Sequence, residues 1–251
     1  MVKMKMCKSI VLIVFALVCV LEFAHGWEAG HATFYGNIDG DETAFGACGY
    51  DVFNQGYGLT TTALSTALFN NGRTCGACFQ IVCAHSHKNC IQNAGSIYVT
   101  ATNFCPPNST IGSYPWCNPP RKHFDLSQVM FRKIARYEAG IVPVYFRRVS
   151  CRGRIGGMKF KMNGNPYWIL VLVFNVGGSG EVVGVKVKGN QTGWIEMVKN
   201  WGQNWLTLER LLGQSLSFQV TTSDGKITLS NNVVPFNWQI GQTFEGNKVL
   251  V

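Results

Sequence analysis

Eight cysteines, Cys48, Cys75, Cys78, Cys83, Cys90, Cys105, Cys117 and Cys151, fall between positions 48 and 151 of a 251-residue chain, and none follows. Two more, Cys7 and Cys19, belong to a leader. Lys3, Lys5 and Lys8 precede an apolar run from Ile10 to Leu21, which is too short to span a bilayer. Ala24 and Gly26 supply the small residues ahead of Trp27, so residues 1–26 read as a secretory signal peptide. An even cysteine count in an oxidising compartment implies four disulfides. Cys75-Gly-Ala-Cys78 has the spacing of a redox pair or half a zinc site. No second such pair follows and no βαβ pattern surrounds it, so a crosslink is favoured. His85 and His87 read as exposed loop histidines, because a metal needs more ligands than this pair. No metal and no cofactor is expected.

Without the leader, the 22 basic and 13 acidic residues become 19 and 12, a net charge of +7. The mature chain is poor in charge and rich in Gly, Thr, Asn and aromatic residues, which favours strands and turns over helices. A basic exported chain suits an acidic polysaccharide or an anionic surface, and export argues against nucleic acid. No integral membrane segment is expected, and the expected state is a monomer.

His31–Tyr35, 78–83, 96–102 and 144–149 have the content or alternation of strands. Gly36 to Gly49 is a glycine-rich loop, and its Asp39, Asp41 and Glu42 read as solvated. Residues 60–71 (TTTALSTALFNN) suggest a short capped helix ending at Gly72, and 126–139 the clearest helix, ending at Gly140. Residues 152–157 (RGRIGG) are linker by composition. Arg147, Arg148, Arg152, Arg154, Lys159 and Lys161 cluster around it, as a solvated basic face or a contact for anions. After Gly157 about seven short strands follow, separated by Gly, Asn and Ser, with Ser223-Asp224-Gly225 as a hairpin turn. This is the pattern of a β-sandwich. Five of the seven tryptophans lie there, enough to fill a core and still leave an exposed platform for sugar rings.

The stretch from Thr100 to Ser127 has two cysteines, five prolines and one carboxylate, Asp125. Two readings of Asp125 compete: a cap for the helix that follows, or a site carboxylate held by a crosslinked loop. Asn108-Ser109-Thr110 and Asn190-Gln191-Thr192 are glycosylation sequons, making Asn108 and Asn190 candidate acceptors.

The sequence resembles plant expansins, in the alpha-expansin subgroup. HATFYG at 31–36, CGACF at 75–79, TATNFCPPN at 100–108, HFDLS at 123–127, GNQTGW at 189–194 and GQSLSFQVTTSDG at 213–225 carry the resemblance, in order, across nearly the whole mature chain. It implies a mostly all-β protein: a six-stranded double-psi β-barrel related to family-45 endoglucanases, then an immunoglobulin-like cellulose-binding β-sandwich. The implied division is signal peptide 1–26, barrel 27–153, linker 154–157 and sandwich 158–251. The resemblance implies disulfides Cys48–Cys75, Cys78–Cys151 and Cys83–Cys90, which leaves Cys105 with Cys117. It places Thr33 and Asp125 in a polysaccharide groove, and Tyr167, Trp168 and Trp201 on a flat cellulose-binding face. Three departures stand out. Phe45 and Asp51 replace glycines of the family loop, and Ala101 stands where related expansins outside this subgroup carry a second groove aspartate.

The implied partners are cellulose and matrix glucans such as xyloglucan, in the plant cell wall. The implied function is loosening of cellulose–glucan contacts without hydrolysis, which would allow acid-induced wall extension. Asp125 matches the family acid, but ordinary glycoside hydrolysis needs a second carboxylate. Two alternatives remain: a single-acid lytic transglycosylase-like enzyme, and a non-catalytic carbohydrate-binding protein.

Overall fold

The structure, a computed structural model, describes residues 26–40, 43–84, 87–108 and 115–249. The leader, Asp41, Glu42, His85 and the Ser109-Thr110 half of the first sequon lie outside the described residues. Six strands close a barrel: β1 (Glu28–Tyr35), β2 (Thr61–Leu64), β3 (Cys78–Cys83), β4 (Ile97–Phe104), β5 (His123–Ser127) and β6 (Val142–Val149), in the order β1-β5-β2-β4-β3-β6. The β1/β5 and β2/β4 pairs are parallel and the others antiparallel. Alternation sets the faces. Ala32, Ile81, Val99, Phe124, Leu126, Val144 and Phe146 fill the interior, and their strand neighbours point outward.

The second half is a sandwich of two sheets. One has four strands, β9 (Val182–Gly189), β10 (Ile195–Glu196), β13 (Leu216–Thr222) and β14 (Ile227–Val234), ordered β10-β9-β13-β14. The other has five, β7 (Lys159–Asn165), β8 (Trp168–Phe174), β11 (Val198–Trp201), β12 (Asn204–Thr207) and β15 (Thr243–Glu245), ordered β11-β12-β8-β7-β15. The sequence reading expected about seven strands after Gly157, and the sandwich has nine. Its core is built from Phe160, Val171, Val185, Trp205, Phe218 and Trp238 among others.

Two expected helices are corrected. Over 60–71 the chain first forms β2, whose four residues are all buried between β4 and β5. Only Thr66–Phe69 (α1) is α-helical. Over 126–139 the helix shrinks to Gln128–Arg132 (α2). Leu126 and Ser127 complete β5, and residues 134–136 leave the helix to pair with the disulfide-bound loop at Cys90. Ile91 N–H donates to Ile134 O at 3.0 Å and Arg136 N–H to Asn89 O at 3.0 Å. The apolar spacing that suggested a long helix is one helical turn followed by an extended segment. The cap reading of Asp125 falls with it, because the N-cap of α2 is Ser127, whose hydroxyl accepts from Met130 N–H at 3.4 Å.

The described cysteines form Cys48–Cys75, Cys78–Cys151, Cys83–Cys90 and Cys105–Cys117. Barrel and sandwich are in intimate contact. Leu172 and Phe174 of β8 turn away from the sandwich interior and join the barrel's apolar cluster. Gly202, at φ +53°, presses backbone on backbone: a Cβ there would lie 2.4 Å from Cys48 O. Gly202→Ala is therefore expected to destabilise the docked state by about 1–3 kcal/mol, through strain and overlap together. Calorimetry should show a lower first transition; an unchanged melting profile would mean that this contact does not hold the halves together.

Candidate functional site

Four outward-facing residues line up across four neighbouring strands of the barrel. Thr33 on β1 is in register with Asp125 on β5, Asp125 with Ala63 on β2, and Ala63 with Asn103 on β4. At about 4.8 Å per strand the row is ~14 Å long. Ala63 is 2% exposed and forms a low floor between the carboxylate and Asn103.

Asp125 is held in a directed relay. Thr33 Oγ1 donates to Asp125 Oδ1 at 2.6 Å and lies 2.8 Å from His123 Nε2. A hydroxyl has one proton to give, so with Thr33 donating to the carboxylate, His123 Nε2–H donates to Thr33. His123 is then the Nε2–H tautomer, and its buried Nδ1 has no partner among the described residues. Trp116, next to Cys117, stacks on His123 at 6.4 Å and meets the His31 ring at a tilt, 5.6 Å between centres, with the Arg121 guanidinium 5.2 Å from the Trp116 ring centre. The crosslinked loop thus reaches the carboxylate indirectly, through Trp116, His123 and Thr33. Its ends are anchored on the row as well: Cys105 N–H donates to Leu64 O at 2.9 Å, and Thr66 N–H to Cys117 O at 3.2 Å.

Burial pushes the Asp125 pKa up, and the hydrogen bond from Thr33 opposes part of that rise. Burial, with smaller contributions from the positive charges of His31 and Arg121, lowers His123 to about 4. Tyr35, two residues along β1 from Thr33, is pushed up to about 12, mostly by burial, with the Asp125 charge a lesser cause. Sequence reading placed Thr33 and Asp125 here but did not single out Tyr35, His123 or Trp116. Their role depends on which residues are covered, and residue type does not encode that.

The position of Ala101 is informative. It is fully buried in the barrel cluster and offers no side chain to the row. Asp51, in the loop beyond the row, is tied to Asn54 through both its side-chain and backbone N–H groups, and its pKa is lowered chiefly by that side-chain bond. Among the described residues no group of His, Cys, Asp or Glu is arranged to hold a metal. No described helix is long and apolar enough to cross a membrane.

The loop after the first disulfide cysteine links the row to the sandwich. Asn103 Oδ1 accepts from Ala47 N–H at 2.8 Å, and Gly49 faces the Trp201 ring and Asn204, where a Cβ would come within 2.5 Å of Asn204 Nδ2. Phe45 and Asp51, the two glycine replacements, face each other across an isolated antiparallel bridge, and neither has positive φ. The backbone shape of this loop is therefore open to ordinary residues at both places. Phe45 is 71% exposed.

On the sandwich, Trp168, Leu170 and Leu172 alternate on the outer face of β8; Asn204 pairs with Leu172, and Trp201 with Asn204. Cross-strand partners share a face, so Trp201 and Trp168 do too, ~16 Å apart by strand geometry. The barrel covers the Leu172 end and leaves the Trp168 end open. Tyr167, in the turn just before β8, is 68% exposed with Arg210 over its ring, and Trp201 is 50% exposed. Trp205 and Trp238 are core. Asn190 is exposed, as is Asn108.

A closed barrel with a single buried-edge carboxylate, docked on a sandwich with an aromatic outer face, defines a two-part protein of the double-psi barrel class. Comparison with known proteins agrees. The family model described as Expansin C-terminal domain matches residues 158–235, and the one described as Lytic transglycolase matches 61–146. Expansin-A25 of Arabidopsis thaliana is 59% identical over 88% of this chain and 79% of its own length. Expansin-A7 of the same plant is 49% identical over 94% and 92%, and Expansin-A32 of Oryza sativa subsp. japonica 49% over 88% and 84%. Among solved structures, apo Clavibacter michiganensis expansin superposes with a TM-score of 0.66 at 18% identity, over 90% of this chain and 98% of that one. A mutant of the same bacterial protein, in complex with cellohexaose, gives 0.65 at 17% identity with the same coverage. The chain belongs to the expansin family, in its alpha group, the plant proteins that loosen cell walls.

The two titrating groups of the relay act on stability in opposite directions. Asp125 has a folded pKa above its unfolded value, so the native state binds the extra proton and stability falls as pH rises through the folded pKa. Asp125→Asn keeps the acceptor for Thr33 and is expected to raise Tm at pH 7 while changing little below the ordinary carboxylate pKa. Each unit of upward shift corresponds to about 1.4 kcal/mol. His123 has a folded pKa near 4 against 6.5, so its contribution is complete above 6.5 and is lost as pH falls toward 4. That loss is on the order of 3 kcal/mol. His123→Gln should flatten the acid limb of a Tm–pH curve; a limb of unchanged slope would show that His123 is not the group responsible.

Proposed function

We propose that this protein loosens the wall by competing for hydrogen bonds between cellulose and matrix glucans such as xyloglucan, without cutting either polymer. The proposed division is barrel 27–153, linker 154–157 and sandwich 158–251. The proposed working form is a secreted monomer in the plant cell wall. The Thr33–Asp125 row grips a glucan strand, and Tyr167, Trp168 and Trp201 stack on cellulose. The observation that carries the proposal is the isolation of Asp125. Its lateral partners are a threonine and an alanine, and Ala101 turns into the core. Hydrolysis needs two carboxyl groups about 5–9.5 Å apart across the bond. One carboxyl with a raised pKa can instead gain a proton on mild acidification and become a donor to the glycan. The cellohexaose complex of the structurally similar bacterial expansin supports a glucan as ligand.

A second reading has its own support. The barrel matches a model described as Lytic transglycolase, and a lone acid suffices when the sugar supplies its own nucleophile. Mass spectrometry separates the two: anhydro-sugar ends accumulating with purified protein would establish lytic cleavage and displace the non-covalent reading.

Two experiments test the proposal directly. In a creep assay on heat-killed plant walls, stepped from about pH 7 to about pH 4, Asp125→Asn should stay folded, still bind cellulose, and give little or no acid-induced extension. Wild-type creep in the variant would remove Asp125 from the function. Replacing Tyr167, Trp168 and Trp201 together by Ala should weaken cellulose retention by on the order of 1 kcal/mol per ring with an unchanged circular dichroism spectrum. Undiminished retention would place the binding face elsewhere.

A further inference from the structure

On the other side of the closed barrel, the outer faces of β3, β4 and β6 and the segment after Cys151 enclose a cavity of about 670 Å³. Arg147, Arg152 and Arg154 line it together with Gln80, Tyr98 and Thr100. None of the three guanidinium groups forms a salt bridge to a described carboxylate, whereas Arg148, next in the chain, pairs with Glu181 at 2.7 Å. Arg147 and Arg154 are nevertheless held in place. Arg147 Nε–H donates to Gln80 Oε1 at 2.8 Å and its guanidinium lies 4.8 Å from the Trp27 ring centre. Arg154 donates from Nη2 to Thr100 Oγ1 at 2.9 Å and lies 4.6 Å from the Tyr57 ring centre. Its Nε is buried with no partner among the described residues. The Cys78–Cys151 disulfide joins the strand below the cavity to the segment that carries Arg152 and Arg154.

Each guanidinium has five N–H donors, and the bonds within the protein use few of them. Three like charges gathered around one cavity repel one another, and a bound anion would offset that cost. Pre-oriented arginines match the planar fork of a carboxylate, to which they bond in bidentate fashion. Tyr98, 57% exposed at the rim, adds a ring face that a bare inorganic anion would not use but a sugar ring would. The volume is that of a typical ligand site.

We infer that this arginine cavity is a second carbohydrate site, one that binds the uronate carboxylates of an acidic polysaccharide. It is separate from the Thr33–Asp125 row and does not depend on how that row works. It gives a role to the basic cluster around the linker, which glucan binding leaves unused. Occupied, it would hold the barrel to the acidic matrix while the opposite face engages glucan.

Titration calorimetry on the mature protein tests this with three probes at equal ionic strength: an oligogalacturonate, its methyl-esterified neutral form, and inorganic phosphate. The free-acid oligomer should bind, with affinity falling as salt rises, and the ester and phosphate should bind far more weakly. Arg147→Gln with Arg152→Gln should reduce oligogalacturonate affinity on the order of tenfold or more. Lys186→Gln with Lys188→Gln, the same loss of charge placed on the sandwich, should leave it nearly unchanged. An unchanged circular dichroism spectrum and Tm for both double variants report that they are folded. Absence of oligogalacturonate binding, equal binding of phosphate or ester, or equal weakening in both double variants would overturn the inference.

Discussion

One buried glutamine fixes the geometry on which both halves depend. Gln203 is completely buried between barrel and sandwich. Its backbone N–H donates to Cys48 O at 3.0 Å and its side-chain Nε2–H to Cys75 O at 3.0 Å, while Trp205 Nε1–H donates to its Oε1 at 3.3 Å. The two barrel carbonyls belong to the two cysteines of one disulfide. A crosslink that would otherwise serve only the barrel therefore also sets where the sandwich docks. A buried amide left unsatisfied costs about 1–3 kcal/mol, so this contact holds in one arrangement or is lost as a unit. The loop between the Asn103 end of the row and Trp201 leads into this same disulfide, so the groove and the aromatic face are held in one relative position.

The site's electrostatics follow from cover. Trp116 stacks on His123, and burial is the main cause that lowers the His123 pKa to about 4 and raises that of Asp125. Had His123 been open to water, its protonation near 6.5 would have placed a cation two bonds along the relay and lowered the Asp125 pKa. The disulfide loop, by placing Trp116 against His123, thus contributes cover to the relay as well as a crosslink.

Much of this was legible in the sequence, though unevenly. The disulfide-rich first half, the β-rich second half and the hairpin at Ser223–Gly225 follow from residue type and spacing. The barrel, the cysteine pairing and the groove residues came from family resemblance, because strand order and parallel pairing leave no local trace. The helices over 60–71 and 126–139 were misread for one physical reason. Thr61–Leu64 and Leu126–Ser127 are short segments buried on a closed sheet, and their apolar content fits either a strand or a helix until the partners are known. Phe45 and Asp51 stand where the family loop has glycines, but neither has the positive φ that would require glycine, and they form a bridge that other residues adopt. The arginine cluster was visible as charge. That three of its members converge on one cavity without carboxylates was visible only in the fold.

A lone carboxyl suits disruption better than cleavage, and the magnitudes show why. Breaking a glycosidic bond requires charge to develop at the sugar, which a hydrolase meets with an acid on one side and a carboxylate on the other. Separating two glucan chains requires only that their mutual hydrogen bonds be exchanged, each with a net worth of about 0.5–1.5 kcal/mol. An ionised Asp125 can only accept, and Thr33 already occupies one of its oxygens. Protonated, the same group both donates and accepts, which matches a sugar hydroxyl and lets it stand in for one polymer against the other. The upward shift imposed by burial brings that change to a higher pH than an exposed carboxyl would allow. On the proposed function the energy asked of the residue stays at the scale of single hydrogen bonds, and the aromatic face is proposed to keep the protein on the polymer while those bonds are exchanged one after another.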